Sequence, residues 1–131
     1  MITGIDHITI NLKDKAASLR FYGELLHLER LPDIKMDDHR LIFFSLPGGS
    51  KLELIEYDFS TSVADFEQFS KGKWRHIAFK VSDLDQLAAK IIEYDGKVIQ
   101  PPQWVERLGF KGMLIIDPNG CELELIEYAK P

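Results

Sequence analysis

Apolar and polar residues alternate from Ile5 to Leu12, with Ile8, Ile10 and Leu12 on one face and His7, Thr9 and Asn11 on the other. A period of two predicts a half-buried strand. The period then lengthens. Leu19, Tyr22 and Leu26 stand at helical spacing and Asp14 offers an N-cap, so a helix is expected over about 14–26. Strand-like runs follow at about Glu29–Ile34, Arg40–Leu46 and Lys51–Tyr57. The succession then returns. Ile77 and Phe79 alternate in a strand, and Leu84, Leu87, Ala88, Ile91 and Ile92 form the apolar stripe of a second helix. Ser82 and Asp85 suggest its capping box, and Gly96 its left-handed end. Further strands are expected at about Lys97–Gln103, Gly112–Ile116 and Glu122–Tyr128. Pro47-Gly48-Gly49 and Pro118-Asn119-Gly120 supply the turns before the last strand of each half.

The recurrence extends to residue identity. PGGSKLELIEY (47–57) and PNGCELELIEY (118–128) agree at eight of eleven positions, at an offset of 71. DHITINLKD (6–14) is echoed by RHIAFKVSD (75–83), at an offset of 69. Two echoes in the same order define two copies of one module. The expected fold is α+β, with two βαβββ modules, 1–57 and 75–131, in one domain. The joining segment, 58–74, is polar and suggests a short helix around Val63–Phe69. It is long for a plain connection, which favours a functional or interface role.

Composition narrows the function. A chain of 131 residues with 45% hydrophobic and 28% charged side chains suits one globular domain. A net charge of −5, without a basic cluster, argues against nucleic acid as partner. One cysteine, Cys121, excludes an intrachain disulfide and suits a reducing compartment. No leader pattern and no membrane-length apolar run is visible, so a cytoplasmic protein without a membrane partner is expected.

Candidate chemistry comes from the repeat. His7 and His76 are equivalent, as are Glu53 and Glu124. By strand parity the leucines flanking each glutamate face the helices, and the glutamates face away, as do the histidines. Taken alone, a histidine opening a strand is more often structural, and a glutamate between leucines more often solvated. Recurrence of both in a duplicated module favours a divalent-metal site instead. Two imidazoles and two carboxylates suit Zn, Ni, Co, Fe or Mn better than Ca or Mg. Glu56 and Glu127 share the leucine parity and are expected as exposed edge charges. Glu122 aligns with Lys51, so it is expected outside the ligand set, either supporting it or exposed.

The segments DHITI (6–10), FYGELLHLE (21–29), LELIEY (52–57), HIAFKVSDLD (76–85) and DPNGCELEL (117–125) resemble the vicinal-oxygen-chelate superfamily, which contains glyoxalase I (lactoylglutathione lyase). The resemblance covers nearly the whole chain except the joining segment. It implies paired βαβββ modules in a cupped mixed sheet, the glyoxalase/bleomycin-resistance/dihydroxybiphenyl dioxygenase fold, around a divalent metal. It places the metal ligands on His7, Glu53, His76 and Glu124, with Glu53 or Glu124 as the catalytic base. Fosfomycin-inactivating and extradiol-dioxygenase members typically use two His and one Glu. The extra carboxylate, Glu53, therefore favours the glyoxalase and methylmalonyl-CoA epimerase branches, and DPNG before the last strand favours glyoxalases. One departure is His27, where the family's helix usually ends in Leu-Gly; it is expected to end the helix here. His39 is expected in a solvated loop. Arg20, Arg107 and Lys111 are candidates to hold an anionic substrate, with surface charge the plainer reading of each.

The implied activity is that of a metal-dependent lyase or isomerase on a small oxygenated substrate, through a metal-stabilised enediolate. The competing readings are a metal-dependent dioxygenase and a non-catalytic protein that sequesters a small molecule, as bleomycin-resistance members do. The resemblance also implies a homodimer, because single-chain members commonly pair. Light scattering should accordingly give twice the chain mass at micromolar concentration, and a monomer alone would count against pairing.

Overall fold

The computed structural model describes residues 1, 3–62, 71, 72 and 74–130. The short helix expected around 63–69 lies outside the described residues. The chain divides into two compact units, Met1–Ala64 and Asp65–Pro131. Each carries one mixed sheet, which makes the fold α+β.

In the first unit, strand β1 (His7–Asn11) leads into helix α1 (Lys15–Leu19), which continues as a π-helical turn over Arg20–Leu25. Four strands follow: β2 (Glu29–Arg30), β3 (Ile34–Lys35), β4 (His39–Ser45) and β5 (Lys51–Tyr57). The sheet order is β1-β5-β4-β2, with β3 also on β4. Strand β1 runs parallel to β5, and the other pairings are antiparallel. The Asp14 side chain caps α1 by accepting from the Ala17 amide at 3.0 Å. The strand expected over Glu29–Ile34 is broken into two short pieces. Pro32 lies between them, and it can donate no ladder hydrogen bond.

The buried stripe of the first helix also differs from expectation. It is Ser18, Phe21, Tyr22 and Leu25, with Leu19 and Leu26 half-buried at its margins. A polar residue enters the core because the Ser18 hydroxyl donates to the Asp14 carbonyl at 2.6 Å, which satisfies it inside. The helix ends at His27, as expected: its φ is 56°, and the Leu28 amide reaches back to the Tyr22 carbonyl at 3.0 Å.

The second unit repeats this plan with β6 (Ile77–Lys80), α2 (Leu84–Glu93), β7 (Lys97–Val105), β8 (Phe110–Ile116) and β9 (Glu122–Tyr128). Its order is β6-β9-β8-β7, with β6 parallel to β9. The cap of α2 is Asp83, not Ser82: its extended backbone lets its carboxylate accept from the Gln86 amide at 3.0 Å. At the other end, the Gly96 amide bonds the Ile91 carbonyl at 2.8 Å and the Asp95 amide bonds that of Ile92 at 3.1 Å. This is a Schellman motif. Its left-handed residue is Asp95, at φ 54°, and not Gly96. Gly96 is needed for another reason. A Cβ there would lie 2.4 Å from Ile91 Cγ2 and 2.8 Å from the Ile91 carbonyl oxygen. Strand β7 holds Pro101 and Pro102, and its register with β8 shifts on either side of Gln100. Prolines are tolerated there because β7 is an edge strand.

The core of the first unit centres on Tyr22, Ile42, Phe44, Leu52 and Leu54, and that of the second on Leu84, Ile91, Met113, Ile115, Leu123 and Leu125. The leucines flanking Glu53 and Glu124 are thus the buried face of each sheet, as parity predicts. Among the described residues no helix is long and apolar enough to cross a membrane. Two helix-end variants test these contacts by urea unfolding. Gly96→Ala should lose about 1–3 kcal/mol, because its methyl has nowhere to go. His27→Gly should gain about 0.5–1 kcal/mol by removing a side chain from a left-handed position.

Candidate functional site

In the first module the parallel pairing of β1 with β5 sets Thr9 opposite Glu53 and His7 opposite Lys51. Because Leu52 and Leu54 turn inward, Glu53 stands on the other face with His7. Its carboxylate lies 3.9 Å from His7 Nε2. The Thr9 hydroxyl donates to Glu53 Oε1 at 3.3 Å, and Glu53 is only 8% exposed. The other ring nitrogen, Nδ1, sits 2.7 Å from an Asp6 oxygen. The hydrogen bond from His7, and then the charge of Lys51, hold the Asp6 carboxyl below its usual range. A proton held at Nδ1 leaves the Nε2 lone pair of a neutral ring facing Glu53.

The second module builds the same pair more tightly. His76 Nε2 lies 2.8 Å from Glu124 Oε2. Opposite Glu124 stands Ala78, not a threonine, so the carboxylate lacks the hydroxyl that anchors Glu53. On β8 its direct partner is Leu114, and Gly112 lies diagonally, where an added Cβ would stand 3.1 Å from the Phe110 ring and 3.7 Å from Glu124 Oε1. The Glu124 side chain is twice as exposed as that of Glu53, 22% against 11%. Glu122 is buried at 3% exposure, in an ion pair with Arg75.

Two ligand atoms about 2.1 Å from one ion stand about 3.0–3.4 Å apart in tetrahedral or octahedral geometry. The observed separations, 2.8 and 3.9 Å, lie on either side of that range. In neither module do three His, Cys, Asp or Glu side chains form a group able to hold a metal among the described residues. The unit of the candidate site is therefore a His/Glu pair, one per module.

Several other expectations change. Glu56 and Glu127 are not idle edge charges. Glu56 pairs with Lys15 at 3.2 Å, and Glu127 accepts from the Leu84 amide at 3.1 Å. These contacts tie the last strand of each module to the first residue of its helix. Lys111 is engaged by Asp85 at 2.7 Å and Glu127 at 3.6 Å, which raises its pKa and makes it a poor anchor for substrate. His39 is not in a loop: it opens β4, half-buried, bonded to Asp38 and against the Tyr57 ring. Arg20 and Arg107 are exposed. The supporting groups Asp6, Thr9 and Arg75 were missed by sequence reasoning. Their signal was available in the mismatches between repeats, Asp6 against Arg75 and Thr9 against Ala78.

The model of the Glyoxalase/Bleomycin resistance protein/Dioxygenase superfamily matches residues 4–125. The chain belongs to this superfamily. Solved structures agree on the fold. A glyoxylase/bleomycin resistance protein/dioxygenase domain from Frankia sp. EAN1pec superposes with a TM-score of 0.81 at 22% identity, covering 98% of this chain and 100% of its own. The fosfomycin resistance protein FosX from Listeria monocytogenes gives 0.75 at 21%, covering 98% and 96%. The trypanothione-dependent glyoxalase I of Leishmania major gives 0.71 at 24%, covering 96% and 87%. A sequence comparison with curated proteins gives no match. The superfamily includes glyoxalase I, fosfomycin-resistance proteins and dioxygenases, and is largely enzymatic.

Cys121 lies outside this chemistry. Burial, and then the nearby Asp117 charge, push its thiol up to about 12. The thiolate is the reactive form, so at pH 8 the native thiol should react with iodoacetamide at least about tenfold more slowly than the unfolded chain. Equal rates would show Cys121 to be open and unperturbed.

Proposed function

We propose that the protein is a metal-dependent lyase or isomerase of the glyoxalase I type, acting on a small oxygenated substrate, with His7, Glu53, His76 and Glu124 as its metal ligands. The observation that carries this reading is the duplicated His/Glu pair, with Nε2 turned toward a carboxylate in both modules. A bound divalent ion of the Zn, Ni, Co, Fe or Mn type would act as a Lewis acid, stabilising negative charge on a substrate oxygen.

The chain's own residues divide the remaining work. Glu53, buried and tied to Thr9, is suited to staying in place. Glu124 lacks the threonine contact and its side chain is the more exposed, so of the two it is better suited to swinging from His76 toward substrate. In the reaction it takes a proton from a carbon next to a carbonyl and returns it to the adjacent carbon, which isomerises the substrate without net oxidation. The histidines hold position through Nε2 and exchange no proton with substrate. An α-keto hemithioacetal, formed from an α-ketoaldehyde and a thiol, is the substrate class that fits this chemistry.

The test measures metal content and turnover of methylglyoxal with several thiols, under several divalent metals. His76→Ala should weaken metal affinity more than about 100-fold and abolish turnover, while circular dichroism shows the fold retained. Glu124→Gln should cost about 10²–10⁴ in turnover. A wild-type protein that binds no metal and turns over nothing would favour sequestration. Oxygen uptake with Fe or Mn would favour dioxygenase chemistry.

A further inference from the structure

The site face of the first module carries a cation that the proposed chemistry leaves unused. Lys51 opens β5 two residues before Glu53, so its side chain leaves the strand on the same face. Its register partner on β1 is His7, and on β4 it is Ser45. The ammonium lies over the Phe43 ring, 5.6 Å from the ring centre. Phe43 is the direct partner of Glu53 on β4, so Lys51 is drawn along the sheet toward the row of the carboxylate. The negative face of the ring attracts the cation and holds it there.

Among the described residues no carboxylate pairs with Lys51. Asp6 lies in its field, but the Asp6 carboxylate is taken up by His7 Nδ1 at 2.7 Å. Glu53 is taken up by the Thr9 hydroxyl at 3.3 Å. Elsewhere cations are matched, as Lys15 is by Glu56, Lys35 by Asp58 and Lys111 by Asp85. The second module has no such cation at the matching position, where Glu122 is buried and paired with Arg75. Lys51, half-buried, is thus an unmatched positive charge beside one His/Glu pair. A substrate with its oxygens at that pair brings the adjoining group to this ammonium. A single ammonium is a point charge, and its strand partners add no second base, so it matches a carboxylate better than the double charge of a phosphate.

We propose that Lys51 is a specificity-determining residue that binds a carboxylate of the substrate, so that the natural substrate is an anion ionised close to its metal-bound oxygens. In a hemithioacetal of methylglyoxal, the thiol half is the part that can carry this carboxylate. The proposal rests on the reading of His7 and Glu53 as metal ligands, and its test separates the two. Pyruvate, with a ketone and a carboxylate on adjacent carbons, is the probe. Hydroxyacetone, in which a hydroxymethyl group replaces the carboxylate, is the uncharged control, and inorganic phosphate is the competing anion.

In the metal-free wild type, NMR follows the ε-methylene signals of the lysines at constant ionic strength. Pyruvate should move the Lys51 signal saturably, hydroxyacetone should not, and the signal of Lys111, engaged by Asp85, should stay in place. With Co²⁺ bound and its visible spectrum as readout, Lys51→Met should raise the pyruvate dissociation constant at least about fivefold. The same variant should keep hydroxyacetone binding and Co²⁺ affinity within about twofold, and Lys51→Arg should bring pyruvate back to within about threefold of wild type. The wild-type shift carries the test if Lys51→Met fails to fold. A lysine with a purely structural role would weaken pyruvate and hydroxyacetone equally. That result, the lack of a saturable shift at Lys51, or tighter binding of phosphate than of pyruvate there overturns the proposal. A saturable pyruvate shift at Lys51 in a protein that binds no Co²⁺ leaves the carboxylate site in place and overturns the metal reading.

Discussion

Each module depends on a leucine–glutamate–leucine triplet in the strand that pairs parallel to the first strand. Leu52 and Leu54, like Leu123 and Leu125, are fully buried against the core. A strand has only two faces, so burial of the leucines places the intervening glutamate on the other one. Slipping the register by one residue would put Glu53 or Glu124 into the apolar core and two leucines outside it, which strongly specifies the register. The parallel partner then brings a histidine to the same face. The core therefore aims the candidate chemistry, and the site needs no loop to assemble either pair.

Period and repetition made this much legible before any coordinates. The last strand of each module has the bounds read from its alternation, and both histidines and both glutamates fall on the expected faces. What stayed hidden was local hydrogen bonding. Ser18 enters the core because its hydroxyl finds the Asp14 carbonyl, which no hydropathy pattern announces. Asp83 displaces Ser82 as cap because neighbouring cap formers differ in backbone geometry, not in residue type. Gly96 marks the correct helix end for the wrong reason, since it avoids the Ile91 carbonyl while Asp95 takes the left-handed turn. The long connection was legible only as a boundary.

Duplication alone would give two equal carboxylates, yet the proposed proton transfer calls on only one of them. The difference lies in residues one strand away. A threonine hydroxyl donates to Glu53, and alanine at the matching position leaves Glu124 without that bond. A hydrogen bond to a charged group is worth about 1.5–3 kcal/mol, roughly a 13- to 160-fold bias in the carboxylate's resting position. Small substitutions on the repeat background thus give the two glutamates different freedom without altering the fold.

The same logic explains why an acid is retained at position 122. An ion pair at the exposed Asp6 costs little and contributes little. Burying Glu122 is different, since taking a carboxylate out of water carries a penalty of several kcal/mol that a nearby guanidinium only partly offsets. A well-packed apolar residue there would be at least as stable, so stability alone does not account for it. The lysine at the equivalent position of the first module shows that the fold does not require an acid at this point in the strand. What the second module lacks is an acid beside its histidine, because Arg75 occupies that place. The buried acid is instead the partner of Arg75, which stands where the first module has Asp6.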